Sequence, residues 1–447
     1  MIKKLMRRLT PTQMIMIGFC LVVLTGTLLL MLPISTREGI VTPPVNALFT
    51  AVSASCVTGL VIADTFQYWS AFGQCVILLL IQIGGLGFMT IGVFFAIVLR
   101  RKIGLWVRGT LQESVNFMQT GGVVRLAKKI IMGTALFEGA GALILAIRFG
   151  RTMDVGQALY YGVFHSVSAF CNAGFDLMGK DGAYISLTEY SGDWVVNLVI
   201  MLLIIIGGIG FFIWNDITET GLLIRRWSLH TKITILMTLI LIFGGAALLF
   251  VLEYDNTLVG RPLNEQILCS LFGSVTARTA GFNTVDTGAL TDSSKLLTTV
   301  LMFIGGSPGS TAGGIKTTTA IVLLASVVSG LFQKRECSLF GRRIGEDTIR
   351  KAGTVLCTNL MLSVAAVLII VTASSLDVTD VMFEVASAMG TVGMSAGITR
   401  DLGTVSKLVL IFLMFCGRIG SFTFALSLKG HKVEPPVKLP EEKVMIG

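Results

Sequence analysis

Charged side chains are scarce in this chain of 447 residues. Asp, Glu, Lys and Arg together make up 14% of the sequence, whereas hydrophobic residues make up 53%. A soluble domain usually carries about 25% charged residues. The mean hydropathy of +0.81 agrees with this deficit of charge. The composition therefore excludes a soluble globular protein and predicts an integral membrane protein.

The sequence also lacks the residue clusters that catalysis and metal binding need. It has three histidines, no HExxH motif, no paired aspartates in an apolar stretch and no Ser and Lys placed to face each other. We therefore expect no catalytic residue, no enzymatic activity and no cofactor in this chain. The cysteines show neither CxxC nor paired spacing, so we expect buried thiols and neither disulfides nor a metal site. The eight cysteines are Cys20, Cys56, Cys75, Cys171, Cys269, Cys337, Cys357 and Cys416.

Eight apolar stretches are long enough to cross a bilayer. A helix needs about 20 apolar residues to span about 30 Å of hydrocarbon. The first stretch follows a basic flank, but it is too long and lacks the exit of a cleavable signal peptide, so we expect it to remain as a helix. The sequence predicts an all-α polytopic membrane protein with spans near 11–33, 71–99, 127–147, 195–215, 232–252, 297–329, 354–374 and 405–427.

Basic residues lie mostly on one side of these predicted spans. If both termini are cytoplasmic, Lys3, Arg7, Arg100, Arg225 and Arg342 all fall on the inner side, and the outer segments are richer in acids. This is the positive-inside pattern of a multi-pass protein of the cell membrane. The net charge of +9 is therefore interpreted as membrane topology, and no nucleic-acid partner is expected.

One short phrase occurs four times in the chain. It consists of Phe, two residues, a β-branched residue or Ala, Ser or Thr, then Ala, with a glycine four or five residues later. The copies are FTAVSASCVTG (49–59), FHSVSAFCNAG (164–174), FGSVTARTAG (272–281) and FEVASAMGTVG (383–393). Each copy lies between two long apolar stretches. We therefore predict four helix–pore-loop–helix repeats that form a pseudo-tetrameric cation pore in one chain, at 1–105, 106–225, 226–335 and 336–428, followed by a cytoplasmic tail at 429–447.

The segment between the paired helices is too short to cross the membrane, so it must enter and return. Such backbone is tolerated only where it is packed in protein or lines water. Four strands of small residues and glycine would make rings of carbonyl oxygens that replace the hydration shell of a monovalent cation. A single copy is more typical of helix packing, but four copies in equivalent places favour a filter. Its predicted residues are Val57, Thr58, Gly59, Asn172, Ala173, Gly174, Thr279, Ala280, Gly281, Thr391, Val392 and Gly393.

The second apolar stretch of the third repeat is interrupted by glycines, hydroxyl residues and a proline. Pro308 removes a helical hydrogen bond, and each interior glycine costs about 1 kcal/mol relative to alanine. We expect an intramembrane loop at 305–314 that acts as a gate below the filter. The equivalent stretches at 83–87 and 206–210 are expected to continue as helix. The predicted gate residues are Gly305, Gly306, Ser307, Pro308, Gly309, Ser310, Thr311, Ala312, Gly313, Gly314, Lys316 and Arg418.

Other interpretations of this stretch stay open. The gap from Gly309 to Gly314 matches a phosphate-binding loop, although an extra residue precedes Lys316 and no strand precedes the motif. A kink without function is also compatible. Ionisable groups inside predicted spans are functional candidates. Arg418 either bonds to the carbonyls of the broken helix or forms a structural salt bridge with Glu138.

Three further polar residues lie close to the predicted filter. Asp64 and Glu384, next to the first and fourth filter segments, either concentrate cations at the pore mouth or simply face water. His165, in the second phrase, is predicted to be a hydrogen-bonded packing residue.

The phrases and the interrupted stretch together resemble a known family. The phrases end in VTGL, NAGF, RTAGF and TVGMS, and residues 304–318 read IGGSPGSTAGGIKTT. Over essentially its full length the chain is similar to the Trk/Ktr/HKT superfamily of potassium transporters, and within it to the membrane subunit of bacterial Ktr systems (KtrB/KtrD type). Family members that favour sodium commonly place Ser at the first filter glycine. The presence of Gly59 therefore favours potassium.

The resemblance implies a potassium-translocating subunit of an uptake system, with K⁺ as the transported ion, bound at filter carbonyls only, and often with stimulation by Na⁺. It also implies a homodimer in the lipid bilayer and a cytosolic, nucleotide-binding regulatory ring of the RCK type (KtrA/KtrC-like). A sodium-selective or nonselective cation transporter of the same fold is the alternative.

Overall fold

The computed structural model describes residues 10–87, 90–92, 122–180, 182–221, 223–334, 336–421, 424 and 442. The basic flank 1–8, the end of the second predicted span at 93–99 and, apart from Glu442, the predicted tail 429–447 lie outside the described residues.

The regular secondary structure of the described residues is helical apart from one short hairpin. The helices are α1 (Pro11–Leu30), α2 (Pro44–Ser55), α3 (Ala71–Leu86), α4 (Val123–Phe149), α5 (Val155–Phe170), α6 (Trp194–Gly208), α7 (Phe211–Thr220), α8 (Leu229–Glu253), α9 (Leu263–Thr276), α10 (Asp292–Phe303), α11 (Thr317–Leu331), α12 (Glu346–Ala373), α13 (Val378–Gly390) and α14 (Thr404–Ile419). Short 3-10 helices lie at Pro33–Ser35, Thr188–Tyr190, Ile224–Arg226 and Ile398–Asp401. Strands β1 (Ser338–Leu339) and β2 (Arg342–Arg343) pair antiparallel.

The first helix of each repeat is long and apolar. Helices α1, α4, α8 and α12 are each long and hydrophobic enough to cross a membrane. Leu21, Leu24 and Leu28 of α1 are exposed, as expected of a helix face that meets lipid. Thr10 starts α1 with a capping box, in which its side chain accepts from the Gln13 N–H and the Gln13 side chain accepts from the Thr10 N–H.

The four short helices α2, α5, α9 and α13 are arranged cyclically. Each packs against the first helix of its own repeat and against the second helix of the preceding repeat, and α2 closes the cycle by packing on α14. The phenylalanine of each phrase is completely buried in this arrangement: Phe49, Phe164, Phe272 and Phe383. The predicted fold class, four helix–pore-loop–helix repeats in one chain, is confirmed.

The second helices are interrupted more often than the sequence predicted. Helix α6 ends at Gly208, and α7 leaves it at an angle of 90°. Helix α3 ends at Leu86. The expectation that 83–87 and 206–210 continue as helix is therefore wrong. Gly87 and Gly210 have φ of 78° and 105°, a backbone conformation that glycine adopts readily and that ends a right-handed helix.

The third repeat has the predicted break. Helix α10 ends at Phe303 and α11 begins at Thr317, so the residues between them form a nonhelical loop. A parallel bridge between Ile304 and Ile315 brings the two ends of this loop together. The loop 304–316 is called the intramembrane loop below.

The cysteines are all free thiols, as predicted, but they are not all buried. Cys20, Cys75 and Cys357 are exposed on α1, α3 and α12. Since these helices belong to the membrane part of the fold, an exposed thiol on them is compatible with an apolar surrounding.

Candidate ion pathway

Four backbone segments follow the pore helices α2, α5, α9 and α13 and share one conformation. The residue two places before each filter glycine has a positive φ, between 51° and 76°: Val57, Asn172, Thr279 and Thr391. The glycines themselves have φ between 69° and 91°: Gly59, Gly174, Gly281 and Gly393. Left-handed backbone is uncommon for residues other than glycine. Its recurrence at the same place shows that the four segments are built alike.

A hydroxyl side chain of the pore helix supports each segment from behind. In the first three repeats it donates to the carbonyl just after the filter glycine at 2.6–2.7 Å: Ser53 to Leu60, Ser168 to Phe175 and Thr276 to Phe282. In repeat four the Ser387 hydroxyl accepts from the Gly393 N–H at 3.0 Å. These four hydroxyl residues are not among the predicted filter residues. A signal was present, because all four phrases share this Ser or Thr.

The filter glycines and the neighbouring carbonyls form a closed ring. A Cβ atom built on Gly59 would overlap the carbonyl oxygen of Ala173 in the next repeat. The same contact joins the other repeats in turn: Gly174 to Ala280, Gly281 to Val392, and Gly393 back to Thr58. At the filter glycines each repeat therefore abuts the next through backbone atoms, and the fourth abuts the first.

The ring brings the predicted filter residues together around one axis. The Asn172 amide and the Thr279 hydroxyl share a hydrogen bond of 3.0 Å, which ties the segments of repeats two and three. Carbonyl oxygens from four segments at one level can replace the water shell of a dehydrated monovalent cation. Among the residues that the structure describes, no group of three or more His, Cys, Asp or Glu residues is placed to hold a metal ion.

The filter glycines form the floor of an open cavity of about 110 Å³, called the vestibule below. Three carboxylates line it, one each from repeats one to three: Asp64, Asp176 and Asp286. The Asp64 carboxylate accepts from the N–H groups of Phe66, Gln67 and Tyr184 at 2.8–2.9 Å. Asp64 is 8% exposed, so it shapes the wall of the vestibule while it adds negative charge.

Asp176 lies two residues after the second filter glycine and outside the membrane-spanning helices. Burial raises the pKa of its carboxyl to about 7, and the negative charge of Asp64 contributes in the same direction. The charge of the vestibule therefore depends on pH near neutrality.

Glu384 and His165 occupy equivalent positions in repeats four and two, directly after the phrase phenylalanine. Glu384 is 1% exposed and accepts from the Ser395 and Thr399 hydroxyls, so it neither faces water nor lines the vestibule. The interpretation that Glu384 simply faces water is wrong. His165 is completely buried, donates from Nδ1 to the Tyr161 carbonyl at 2.8 Å and accepts from the Leu177 N–H at 3.3 Å. The prediction of a packing residue is confirmed.

The intramembrane loop lies at the end of the filter opposite the vestibule. The Thr311 hydroxyl donates to the Phe170 carbonyl at the end of α5, at 3.1 Å. A Cβ atom on Gly313 would overlap the side chain of Thr391 in the fourth filter segment. Three backbone hydrogen bonds of 2.8–3.2 Å join the loop to the bend between α6 and α7: Ser307 N–H to Gly208, Thr311 N–H to Gly207, and Phe211 N–H to Gly309.

The structure separates the two interpretations of Arg418. Its guanidinium donates to the carbonyls of Thr311 in the loop and of Gly84 and Gly85 at the end of α3. Glu138 instead accepts from the Gln82 amide at 3.2 Å, and Arg418 belongs to none of the ion pairs among the described residues. Arg418 therefore connects repeat four, the loop and repeat one through charge-assisted hydrogen bonds.

Lys316 lies at the end of the loop, directly before α11. Its ammonium group donates to the carbonyls of Ala312 at 2.7 Å and Gly313 at 3.4 Å. These bonds fold the loop back on itself. A phosphate-binding loop would leave its lysine and N–H groups free to meet an anion, so the phosphate-loop interpretation does not fit this geometry.

Arg278 is a buried cation that the sequence analysis did not single out. It is 7% exposed, directly precedes Thr279 of the filter, and donates to the Thr238 hydroxyl on α8 at 3.5 Å. The third phrase is one residue shorter than the others, and Arg278 lies where it is shorter, directly after Ala277. This difference in length is the sequence feature that could have drawn attention to Arg278.

Comparison with known proteins agrees with this geometry. A family model described as TrkH, cation transport protein, matches residues 6–432. The chain is 41% identical to the Ktr system potassium uptake protein B of Bacillus subtilis, over 98% of this chain and 97% of that protein. It is 38% identical to the potassium/sodium uptake protein NtpJ of Enterococcus hirae, over 100% of this chain and 99% of that protein.

A solved structure shares the fold. The potassium transporter TrkH of Vibrio parahaemolyticus matches with a TM-score of 0.70 and 19% identity, over 92% of this chain and 84% of the other. The family match and the two relatives cover almost the whole sequence. The chain therefore belongs to the TrkH family of cation transport proteins.

Proposed function

We propose that the chain is the potassium-translocating membrane subunit of a potassium uptake system, through which K⁺ moves down its electrochemical gradient. The observation that carries this proposal is the closed ring of four glycine-to-carbonyl contacts. Such a ring offers a dehydrated cation backbone oxygens on all sides. The acidic vestibule above it would raise the local cation concentration.

Potassium is the cation that the comparisons favour. The Bacillus subtilis relative is named a potassium uptake protein, whereas the Enterococcus hirae relative is named for potassium and sodium. Gly59 at the first filter position supports potassium. A sodium-selective or nonselective transporter of the same fold remains the second candidate because of the name of the Enterococcus hirae relative.

We assign the role of gate to the intramembrane loop with Lys316 and Arg418. The loop lies directly below the filter and is held by side chains and backbone of repeats two and four. Nonhelical backbone at membrane depth is tolerated where it is packed in protein or lines a water-filled path, as a gate does. Loss of the Arg418 bonds would leave Thr311 held by repeat two alone, through Gly207 and Phe170, and would favour opening of the path.

The orientation and the partners follow from charge and from the relatives. We place both termini in the cytoplasm because basic residues gather on that side, so that the vestibule opens to the outside. Two relatives are named as components of a Ktr system. We therefore propose a homodimer that is regulated by a cytosolic, nucleotide-binding RCK-type ring, with Na⁺ as an activator.

The test is potassium uptake in a strain that lacks its own potassium transporters. The chain should restore uptake of K⁺, a tenfold excess of Na⁺ should compete weakly, and a candidate cytosolic subunit should raise the rate. Uptake of Na⁺ without K⁺ would favour the second candidate. An inserted chain that transports neither cation would contradict both.

A matched pair of glycine variants connects uptake to the ring. Gly393→Ala places a methyl group against the Thr58 carbonyl at a φ of 91° and should lower the uptake of K⁺ and its preference over Na⁺. Gly403→Ala changes a residue before α14 with a φ of −68° and no atom within 4 Å of the added methyl group, and should leave uptake intact. If Gly393→Ala and Gly403→Ala changed uptake equally, transport would not depend on the ring.

A further inference from the structure

The vestibule contains one feature that a simple cation funnel would not have. Among the described residues that line it, three are aspartates and Arg400 is the one basic residue. Arg400 is exposed, and it belongs to none of the ion pairs among the described residues. A full positive charge therefore stands at the entrance of a cation path.

The position of this charge is fixed by the chain around it. Arg400 lies in the 3-10 helix Ile398–Asp401, which follows Gly397 with a φ of 96°. Its Nε donates to the Gly397 carbonyl at 3.1 Å. Its guanidinium carbon lies 4.5 Å from the centre of the Tyr184 ring, within the range of a cation–π contact.

Tyr184 is itself held in an uncommon conformation. Its φ is 64°, in the left-handed region that residues other than glycine rarely occupy. Its N–H donates to the Asp64 carboxylate at 2.8 Å, and its hydroxyl donates to the Ile62 carbonyl at 3.4 Å. Such backbone persists only where its surroundings determine it. Asp64 and Ile62 of repeat one therefore orient Tyr184 of repeat two. The Tyr184 ring then holds Arg400 of repeat four by the cation–π contact.

We propose that Arg400 is a tethered cation which keeps divalent cations out of the acidic vestibule while monovalent cations still enter. Carboxylates around an open cavity attract divalent cations more strongly than monovalent ones, because the interaction energy scales with the charge of the ion. A fixed positive charge repels divalent cations more strongly than monovalent ones, because repulsion also scales with the charge of the ion. It therefore reduces the preference of the carboxylates for divalent cations. Arg400 is in this sense a specificity-determining residue, and Tyr184 is its positioning residue. The inference rests on the proposed uptake of K⁺ from the vestibule side.

The experiment measures K⁺ uptake by the full chain in the transporter-deficient strain, with external Mg²⁺ as the divalent probe. Arg400→Gln should lower the half-saturating K⁺ concentration by about two- to fivefold, with less than a twofold change in maximal rate. It should lower the half-inhibitory Mg²⁺ concentration by the square of that factor, since Mg²⁺ carries twice the charge. Arg400→Lys should restore both values.

Two further variants supply a control and a coupling test. Arg37→Gln removes an arginine with the same kind of contact, 4.1 Å above the Phe66 ring, that does not line the vestibule, and both concentrations should stay unchanged. Tyr184→Leu should shift both in the direction of Arg400→Gln in the wild-type background, and should have no further effect when Arg400 is already Gln.

The outcomes separate this inference from the function on which it rests. Wild-type chain that takes up no K⁺ contradicts the proposed function. Wild-type uptake with equal Mg²⁺ inhibition in Arg400→Gln overturns the role of Arg400. An equal shift in Arg37→Gln would show a general effect of surface charge and would overturn it too. If Arg400→Gln inserts poorly, the comparison of Tyr184→Leu with wild type decides in the same way.

Discussion

Gly59 meets two requirements at one backbone position. Its φ of 90° is strained for any other residue, and its Cα lies so close to repeat two that an added Cβ would overlap the Ala173 carbonyl. These two costs differ in kind. The first acts on the segment of repeat one alone, whereas the second displaces an oxygen that a bound cation would use.

We predict that Gly59→Ser weakens discrimination against sodium more than it weakens total flux. The serine side chain crowds one of four carbonyls, while three stay in place. If the displaced carbonyl costs bound K⁺ about 1–3 kcal/mol more than bound Na⁺, the K⁺ to Na⁺ preference falls by about 5- to 150-fold. Sodium competition in the uptake assay measures this preference.

Gly39→Ser is the matched control for that change. Gly39 has a φ of 70°, but nothing lies within 4 Å of an added Cβ. The variant Gly39→Ser therefore has a serine with left-handed backbone and its strain, but it makes no contact with the ring. Unchanged selectivity in Gly59→Ser, or an equal change in Gly39→Ser, would remove Gly59 from the filter.

Asp176 should make the affinity for potassium depend on external pH. Its carboxyl, with a pKa raised to about 7, is ionised at pH 8 and neutral at pH 6. Loss of the negative charge lowers the attraction of cations to the vestibule. We predict that the half-saturating K⁺ concentration rises as the pH falls from 8 to 6.

The variant Asp176→Asn should remove this pH dependence and hold the half-saturating concentration at its low-pH value. Asp286→Asn lowers the charge of the same cavity but leaves Asp176 in place, so the pH dependence should persist there. A steep pH dependence in Asp176→Asn would assign the titration to another group.

At the scale of elements, the intramembrane loop depends on bonds from three repeats. Arg418 is the contact that joins the loop to repeat one as well as to repeat four. Hydrogen bonds to a charged group are each worth about 1.5–3 kcal/mol. We predict that Arg418→Gln, which keeps volume but removes charge, raises the maximal rate of potassium uptake, and that Arg418→Lys has a milder effect.

A purely structural Arg418 would give a different result. The protein would melt at a lower temperature in detergent, and the flux per folded molecule would stay the same. Arg148→Gln provides the comparison. Arg148 lies on α4 and is ion-paired with Asp193, which caps the end of α6 that is remote from the loop. This variant should lower stability without raising flux.

The elements differ in how far the sequence could predict them. The long first helices and the four phrases carry strong local signals, hydropathy in one case and repetition in the other. The bend at Gly210 does not, because the IGGIG stretch is as apolar as a continuous helix. There the Phe211 N–H bonds to Gly309, a residue of the next repeat. That partner is distant in sequence and outweighs local helix propensity.

The same reasoning explains the site residues that were missed or misread. The position of Glu384 beside the filter pointed to water, but Ser395 and Thr399 of the following segment enclose it. Arg418 was assigned to the gate because it is an ionisable group inside a predicted span. Its bonds to Gly84 and Gly85 depended on how repeats one and four meet, which no local pattern specifies.

At the scale of the whole molecule, the proposed filter makes one cation-binding site from all four repeats. A ligand that binds the folded state alone stabilises it, by about 2.7 kcal/mol at 100 times its dissociation constant. We predict that the melting temperature of the purified protein is higher in K⁺ than in choline at the same ionic strength. Removal of K⁺ by dialysis should lower it again.

Gly393→Ala tests whether the filter is the source of this stabilisation. The variant should melt at the same temperature in K⁺ and in choline, whereas Gly403→Ala should keep the wild-type difference. A K⁺-dependent shift that survives in Gly393→Ala would indicate a binding site elsewhere in the chain.

The ring can close between Gly393 and Thr58 only after the fourth repeat has been synthesised. The hydrogen bond from Arg418 to Gly84 likewise joins repeats four and one. These two residues are 334 residues apart, which a ribosome adds in about 17 to 70 s at 5–20 residues per second. During that time the first three filter segments lie in the membrane with the fourth side of the ring missing. A chain arrested after the third repeat therefore lacks the Gly393 to Thr58 contact and cannot close the ring of four segments.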